Sequence, residues 1–249
     1  MAKTLILIPS RMAATRLPGK PLLKINNLSL VSHVFKRAEE ANIGEVVVAT
    51  EDQEILTDVL KNGGRAILTN SNHKTGTDRI FEAYKKLDIK NVDYILNLQG
   101  DEPDINKEDI INLNNLMVTE NAELGTLAAK IEDDKMLNNK NVVKVITDKK
   151  LVENNFPTAL NFTRDNSSID NQNIYHHIGI YSYKISALKK FVSLEQTSNE
   201  KINKLEQLRA LDNMLKINVA LARSSPIGVD TEEDYLAIKK IMEYKISNE

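Results

Sequence analysis

Apolar and polar residues follow two rhythms along the chain, and their order predicts the architecture. Thr4-Leu-Ile-Leu-Ile-Pro9 is an unbroken apolar run closed by proline, as expected of a central strand covered on both faces. From Leu30, the residues Val31, Val34, Phe35, Ala38 and Ala41 recur at helical spacing while Lys36, Arg37, Glu39 and Glu40 face away, which predicts an amphipathic helix. Residues 45–50 then predict a strand, 52–61 a helix stopped by Gly63-Gly64, 65–68 a strand, 77–87 a helix and 94–98 a strand. The second half predicts a helix over 105–118 and strands over 124–130, 142–147 and 178–183. A helical stripe of Ile202, Leu205, Leu208, Leu211 and Leu215 follows, then a strand over 218–222 and a helix over 232–246, while residues 154–173 are polar and weakly patterned.

Strands alternating with helices imply right-handed crossovers and an α/β fold with a mainly parallel sheet between helical layers. Ligands of such sheets bind beyond the carboxyl ends of the strands. A chain of 249 residues is read as one domain, with any small lobe in the irregular region of about 133–198. The 33 Lys and Arg against 35 Asp and Glu give a net charge of -2 spread along the chain, so nucleic acid is not an expected partner. Absence of cysteine excludes thiol catalysis, iron–sulfur clusters and a disulfide framework. The apolar run at 5–9 is too short for a signal peptide or a membrane span, and a cytoplasmic protein without membrane contact is expected.

Glycine and proline are scarce, 9 and 6 in all, and they cluster at strand ends. The loop Ser10-Arg-Met-Ala-Ala-Thr-Arg-Leu-Pro-Gly-Lys-Pro21 carries Arg11, Arg16 and Lys20 on a segment stiffened by proline, a setting suited to a polyanion such as a triphosphate. It is not a Walker loop, since no Ser or Thr follows Lys20, and no GxGxxG run is present. Asn97-Leu-Gln-Gly-Asp-Glu-Pro103 places Asp101 just beyond a strand, where it can hold a metal. Asp230, in Gly228-Val-Asp-Thr231, reads in isolation as the N-cap of the last helix. Beside Asp101 and the cationic loop it completes a two-carboxylate site of the kind magnesium takes together with phosphates. From pattern alone, Arg79 either pairs with a substrate carboxylate or, as is commoner in a first helical turn, lies at the surface; Glu206 and Gln207 fall on an exposed helix face, His33 and His73 stay at the surface, and one of His176 and His177 faces solvent or a neighbouring chain.

The segments Ile8–Pro21, Val48-Ala-Thr50, Thr75-Gly-Thr-Asp-Arg79, Asn97–Pro103, His177-Ile-Gly-Ile-Tyr181, Leu205-Glu-Gln-Leu-Arg209 and Gly228–Thr231 together resemble, in order and over nearly the whole chain, the motifs of the 3-deoxy-manno-octulosonate (Kdo) cytidylyltransferases, or CMP-Kdo synthetases. The resemblance implies a three-layer α/β/α nucleotide-diphosphosugar transferase fold with a mixed, mainly parallel sheet and a small dimerisation lobe. It implies a cytoplasmic homodimer that joins CTP and Kdo into CMP-Kdo and pyrophosphate for lipopolysaccharide assembly, with Mg2+ as cofactor. Carried over residue by residue, Arg11, Arg16, Lys20, Thr77 and Asp101 bind the nucleotide, and Asp101 and Asp230 hold the metal. Arg11, Lys20, Asp101 and Asp230 form the catalytic set. Arg79, Gln99, His177, Tyr181, Glu206 and Gln207 line the sugar pocket. The chain departs from the family pattern at Met12, Ala14 and Asn27, and Asn161-Phe-Thr-Arg-Asp-Asn166 lacks the Ile-Pro that usually follows such a segment. The alternatives are a related acidic sugar such as 8-amino-Kdo, and a noncatalytic nucleotide-binding protein of the same fold.

Overall fold

A computed structural model describes residues 2–13, 16–165 and 173–246; Ala14 and Asn166, two of the departures noted above, lie outside the described residues. The chain begins with β1 (Thr4–Ser10), β2 (Lys24–Ile25), β3 (Leu28–Ser29), α1 (Leu30–Glu40), β4 (Gly44–Thr50), α2 (Gln53–Lys61), β5 (Ala66–Leu68) and α3 (Gly76–Leu87). It continues with β6 (Tyr94–Asn97), α4 (Lys107–Thr119), β7 (Leu124–Ala129), α5 (Asp134–Asn138), β8 (Lys144–Thr147), β9 (Ala159–Thr163) and β10 (Ile174–Lys184). The last elements are α6 (Ile185–Ser193), α7 (Ser198–Asn203), α8 (Leu208–Asp212), β11 (Ile217–Leu221) and α9 (Glu232–Ile246). Two compact units emerge, one of Lys3–Val92, Asn97–Lys107 and the segment from Pro226 onward, the other mainly of Asp93–Leu96 and Glu108–Ser225.

In the first unit β1, β4 and β5 run parallel. Leu5, Ile6, Leu7 and Ile8 are all buried, which is why the strand shows no polar alternation. The register pairs Ser10 with Thr50, so the loops leaving β1 and β4 start side by side. Ser29 caps α1 by accepting from Ser32 N–H, and Thr75 caps α3 by accepting from Asp78 N–H. The buried side chains of Ile25, Leu30, Val229, Ile238 and Met242 form one core cluster that fixes α9. Asp230 is not the cap of α9. Thr231 Oγ1 accepts from Asp234 N–H at 3.2 Å, and Asp234 Oδ2 accepts from Thr231 N–H at 2.8 Å, a reciprocal capping box that leaves the Asp230 carboxylate for other partners.

The second unit is built on β11, β7, β10 and β6, with β7 parallel to β11 and antiparallel to β10. β8 pairs with β10 and β9 with β8, both antiparallel. β9 falls in the stretch that lacks pattern because only Ala159 and Phe162 of its five residues are buried. The helical stripe from Ile202 onward is not one helix. Lys204 takes the left-handed conformation at φ 53° and separates α7 from α8, and Ile202 is exposed. The two short helices are clasped by a buried pair, Arg209 Nε to Glu200 Oε2 at 2.9 Å and Arg209 Nη2 to Glu200 Oε1 at 2.6 Å. Burial pushes the Glu200 carboxyl up, but the bonds from Arg209 and Gln196 outweigh it and hold the group below its ordinary value. Glu200→Ala removes both of these bonds from Arg209, a residue that is 2% exposed and keeps a longer 3.7 Å approach to Glu206, and is expected to destabilise the fold by about 2–4 kcal/mol. Urea unfolding of the two proteins measures the difference.

Candidate active site

The first unit contains a cavity of about 430 Å³ at the carboxyl ends of its strands, where an α/β sheet binds ligands. Its lining carries Arg11, Arg16, Lys20, Lys74 and Arg79 as cations and Asp101 and Asp230 as carboxylates. Lys20 is the link between them. Its Nζ lies 2.6 Å from Asp101 Oδ2 and 3.3 Å from Asp230 Oδ1, while Arg16 Nη2 meets Asp230 Oδ2 at 2.8 Å.

Backbone contacts fix both acids. Val229 N–H donates to the Asp101 carbonyl at 2.9 Å, and the Val229 side chain is sealed in the α9 core, so Asp230 is held beside Asp101 by its neighbour. A Cβ on Gly100 would stand 3.0 Å from the Pro9 carbonyl, so glycine lets the Asp101 loop pass this close to the end of β1 without a crowded contact. Glu102, next in the chain, has a buried carboxyl oxygen; burial first and the charge of Asp101 second push its carboxyl up to about 8. At neutral pH it is the neutral acid and adds no second negative charge beside Asp101.

The opposite wall is the start of α3. His73, Lys74, Thr75 and Gly76 line the cavity, so the amino end of a twelve-residue helix adds its partial positive charge to the cations. Thr77, expected at the nucleotide, is buried behind this turn and does not line the cavity. Arg79 is no surface residue: it is 3% exposed, ion-paired to Glu51, and bonded to Thr69 Oγ1 at 2.7 Å. His73 is likewise not a free surface group, because its Nε2 pairs with Glu82 and the residue lines the cavity. Its place in the sequence, two residues before Thr75-Gly76, is the one signal that could have drawn attention to it. His33 is half-buried, its Nε2 2.8 Å from the Ile25 carbonyl.

Arg11, Arg16, Lys20, Arg79, Gln99, Asp101 and Asp230 are thus brought together around one cavity. His177, Tyr181, Glu206 and Gln207 belong to the second unit. There His177 Nε2 lies 2.9 Å from Tyr181 Oη and 3.1 Å from Thr126 Oγ1, with the Phe162 ring edge-on at 5.0 Å. Burial, and then the neighbouring His176, push the His177 ring down to about 3, so it is neutral. Neither histidine of the pair is exposed: His176 is half-buried, 3.0 Å from Ser225 Oγ. Glu206 and Gln207 lie in the turn before α8 and not on a helix face, and Gln207 is buried.

The Cytidylyltransferase family profile matches residues 5–217. The chain belongs to the cytidylyltransferase family. A 3-deoxy-manno-octulosonate cytidylyltransferase of Rhodopseudomonas palustris (strain BisB18) is 44% identical over 245 residues, covering 96% of this chain and 98% of the relative. A protein of the same name from Thermodesulfovibrio yellowstonii is 43% identical, with 96% and 98% coverage. Among solved structures, a CMP:2-keto-3-deoxy-manno-octonic acid synthetase in complex with CTP superposes with a TM-score of 0.89 at 32% identity, over 98% of this chain and all of that one. These likenesses make the chain an α/β nucleotidyltransferase with a mixed sheet flanked by helices. Among the described residues of this cytidylyltransferase, no helix is long and apolar enough to cross a membrane.

Burial pushes the Glu82 carboxyl up, but Lys86, His73 and the Asn70 N–H outweigh it and hold the group at about 2, below its ordinary 4.5. A carboxyl lowered on folding stabilises the fold fully above the unfolded value and loses that contribution as pH falls through the folded one. Glu82→Gln should therefore melt several degrees below the parent protein at neutral pH, and the gap should close between pH 4.5 and pH 2. Thermal melts of both proteins across that window check it.

Proposed function

We propose that the chain transfers the cytidylyl group of CTP to the anomeric hydroxyl of Kdo. The hydroxyl oxygen bonds to the α-phosphorus, the bond from that phosphorus to the bridging oxygen breaks, and pyrophosphate leaves as the hydroxyl proton is lost. The observation that carries this reading is the cavity in which Lys20 joins Asp101 to Asp230 under a cationic loop, in a chain whose relatives bear the name of that reaction.

The reaction asks for in-line alignment and for positive charge where the leaving phosphates gain negative charge. Arg11, Arg16 and Lys20 meet the triphosphate, with Lys74 and the start of α3 on the opposite wall. The Arg16–Asp230 pair has both side chains more than half exposed, and pairs of this kind are worth about 0–1 kcal/mol. Arg16 is therefore free to exchange its carboxylate for a phosphate at little cost. Arg79 is different: its guanidinium is committed to Glu51 and Thr69, so it shapes the wall, and Gln99 is one of the uncharged polar cavity groups suited to sugar hydroxyls.

Among the described residues no group of three metal-ligating side chains gathers. Two carboxylates that converge on one ammonium group nevertheless fit magnesium, which usually takes one or two carboxylates and fills its shell with water and phosphate oxygens. Asp101 and Asp230 would hold the ion, which when bound offsets charge on the phosphates. The sugar roles of His177, Tyr181, Glu206 and Gln207, the homodimer, the cytoplasmic setting and the use of the product in lipopolysaccharide assembly rest on the family resemblance.

Pyrophosphate release by the purified protein tests the reading. Release is expected only with CTP, Kdo and magnesium together, and not with ATP, GTP or UTP. Asp101→Asn and Asp230→Asn should each lower kcat by about 100-fold or more. Release with 8-amino-Kdo and not with Kdo would move the substrate, and silence with every acidic sugar would overturn the reading.

A further inference from the structure

The three cations of the first loop depend on a fixed point that is itself uncharged. Met12 N–H donates to Asp52 Oδ2 at 2.7 Å, and the Met12 carbonyl accepts from Gly19 N–H at 3.3 Å. Gly19 sits at φ 71°, a left-handed conformation in which glycine carries no steric penalty. Arg11 precedes this closure, Arg16 lies between its two ends and Lys20 follows it, so all three cations are close in sequence to one backbone node.

Asp52 occupies the N-cap position of α2, where an aspartate ordinarily accepts from the first turn of its own helix. It makes no such bond. Its carboxylate reaches instead to a residue 40 positions earlier, and its own N–H is held by Thr50 Oγ1 at 3.1 Å. The parallel register that pairs Ser10 with Thr50 brings the two loops within that reach. Glu51, the preceding residue, pairs with Arg79 on the other wall, so consecutive carboxylates at the end of β4 tie down two sides of the same cavity. If helix capping were the only demand at position 52, the carboxylate would face its own helix. A loop with three like charges repels itself, and anchoring it at a backbone N–H engages none of those charges in the anchor.

We propose that Asp52 is a positioning residue: its carboxylate holds Met12 N–H, and through it the cationic loop, in the geometry that receives the phosphates of the nucleotide. The proposal rests on the cytidylyltransferase reading given above. It adds to that reading a residue that touches neither substrate.

Full-length Asp52→Ala and Asp52→Asn variants test it, since asparagine keeps an oxygen acceptor in the same place. Asp52→Ala is expected to raise the KM for CTP about tenfold or more while the KM for the sugar and the melting temperature change little, and Asp52→Asn to stay within about threefold of the parent protein. Amide exchange in a peptide spanning residues 9–19 should speed up in Asp52→Ala and not in Asp52→Asn. An unchanged KM for CTP in Asp52→Ala, an Asp52→Asn as impaired as Asp52→Ala, or faster exchange throughout the first unit would each overturn the proposal. Should the parent protein release no pyrophosphate with Kdo, the functional reading fails. CTP binding measured by calorimetry without sugar, together with the exchange pattern, then decides the role of Asp52 on its own.

Discussion

One ammonium group placed between two carboxylates is the constraint on which the site depends. Asp101 and Asp230 come from loops more than a hundred residues apart, and without a shared counter-charge their mutual repulsion would work against the backbone contact that joins those loops. Lys20 supplies that charge from a third segment. Its side chain is mostly shielded, with 13% exposure, whereas Asp230 is 53% exposed, so the lysine end of the cluster is the fixed one and the aspartate end the adaptable one. The same three charges that hold the loops together are the ones a metal and a triphosphate would compete for.

Neutral contacts keep that cluster in register. Val229 does two things at once: its side chain enters the core beneath α9, and its N–H closes onto the Asp101 carbonyl. Gly100 allows the approach to Pro9, and the capping box of Thr231 and Asp234 starts α9 without drawing on Asp230. Glu102 stays protonated near neutrality through burial, which keeps the balance at two carboxylates against an excess of cations. Asp52 does for the cationic loop what Val229 does for Asp230. In each case a backbone N–H beside the charged residues carries the attachment, and their side chains take no part in it.

The first half of the fold is legible in the sequence because its signals are local and unmixed. β1 is apolar at nearly every position, α1 has a clean stripe with a serine cap, and Gly63 at φ 81° ends α2 where the glycine pair predicts. β9 is not legible, since a short strand with two buried residues leaves no rhythm. The break between α7 and α8 is hidden for the opposite reason: apolar residues continue at helical spacing across Lys204, and only its left-handed backbone interrupts them. At the site, Arg11, Arg16, Lys20, Asp101 and Asp230 are visible because scarce glycines and prolines mark their loops. His73 and Asp52 are not, because each acts through a partner distant in the chain, Glu82 in one case and Met12 in the other. The capping role that pattern assigns to Asp230 fails for the same reason, since Asp234, one turn later, answers Thr231 instead.

Under the proposed function, Asp101 and Asp230 would exchange the loop cations for a metal as those cations turn to the nucleotide. Calorimetric titration of CTP with and without magnesium, into the parent protein and into the Asp101→Asn/Asp230→Asn double variant, tests it most directly. Magnesium is expected to tighten CTP binding to the parent protein, while the double variant, its cations already released, binds CTP without magnesium at least as well and gains nothing from the metal. An equal gain from magnesium in both proteins would contradict it.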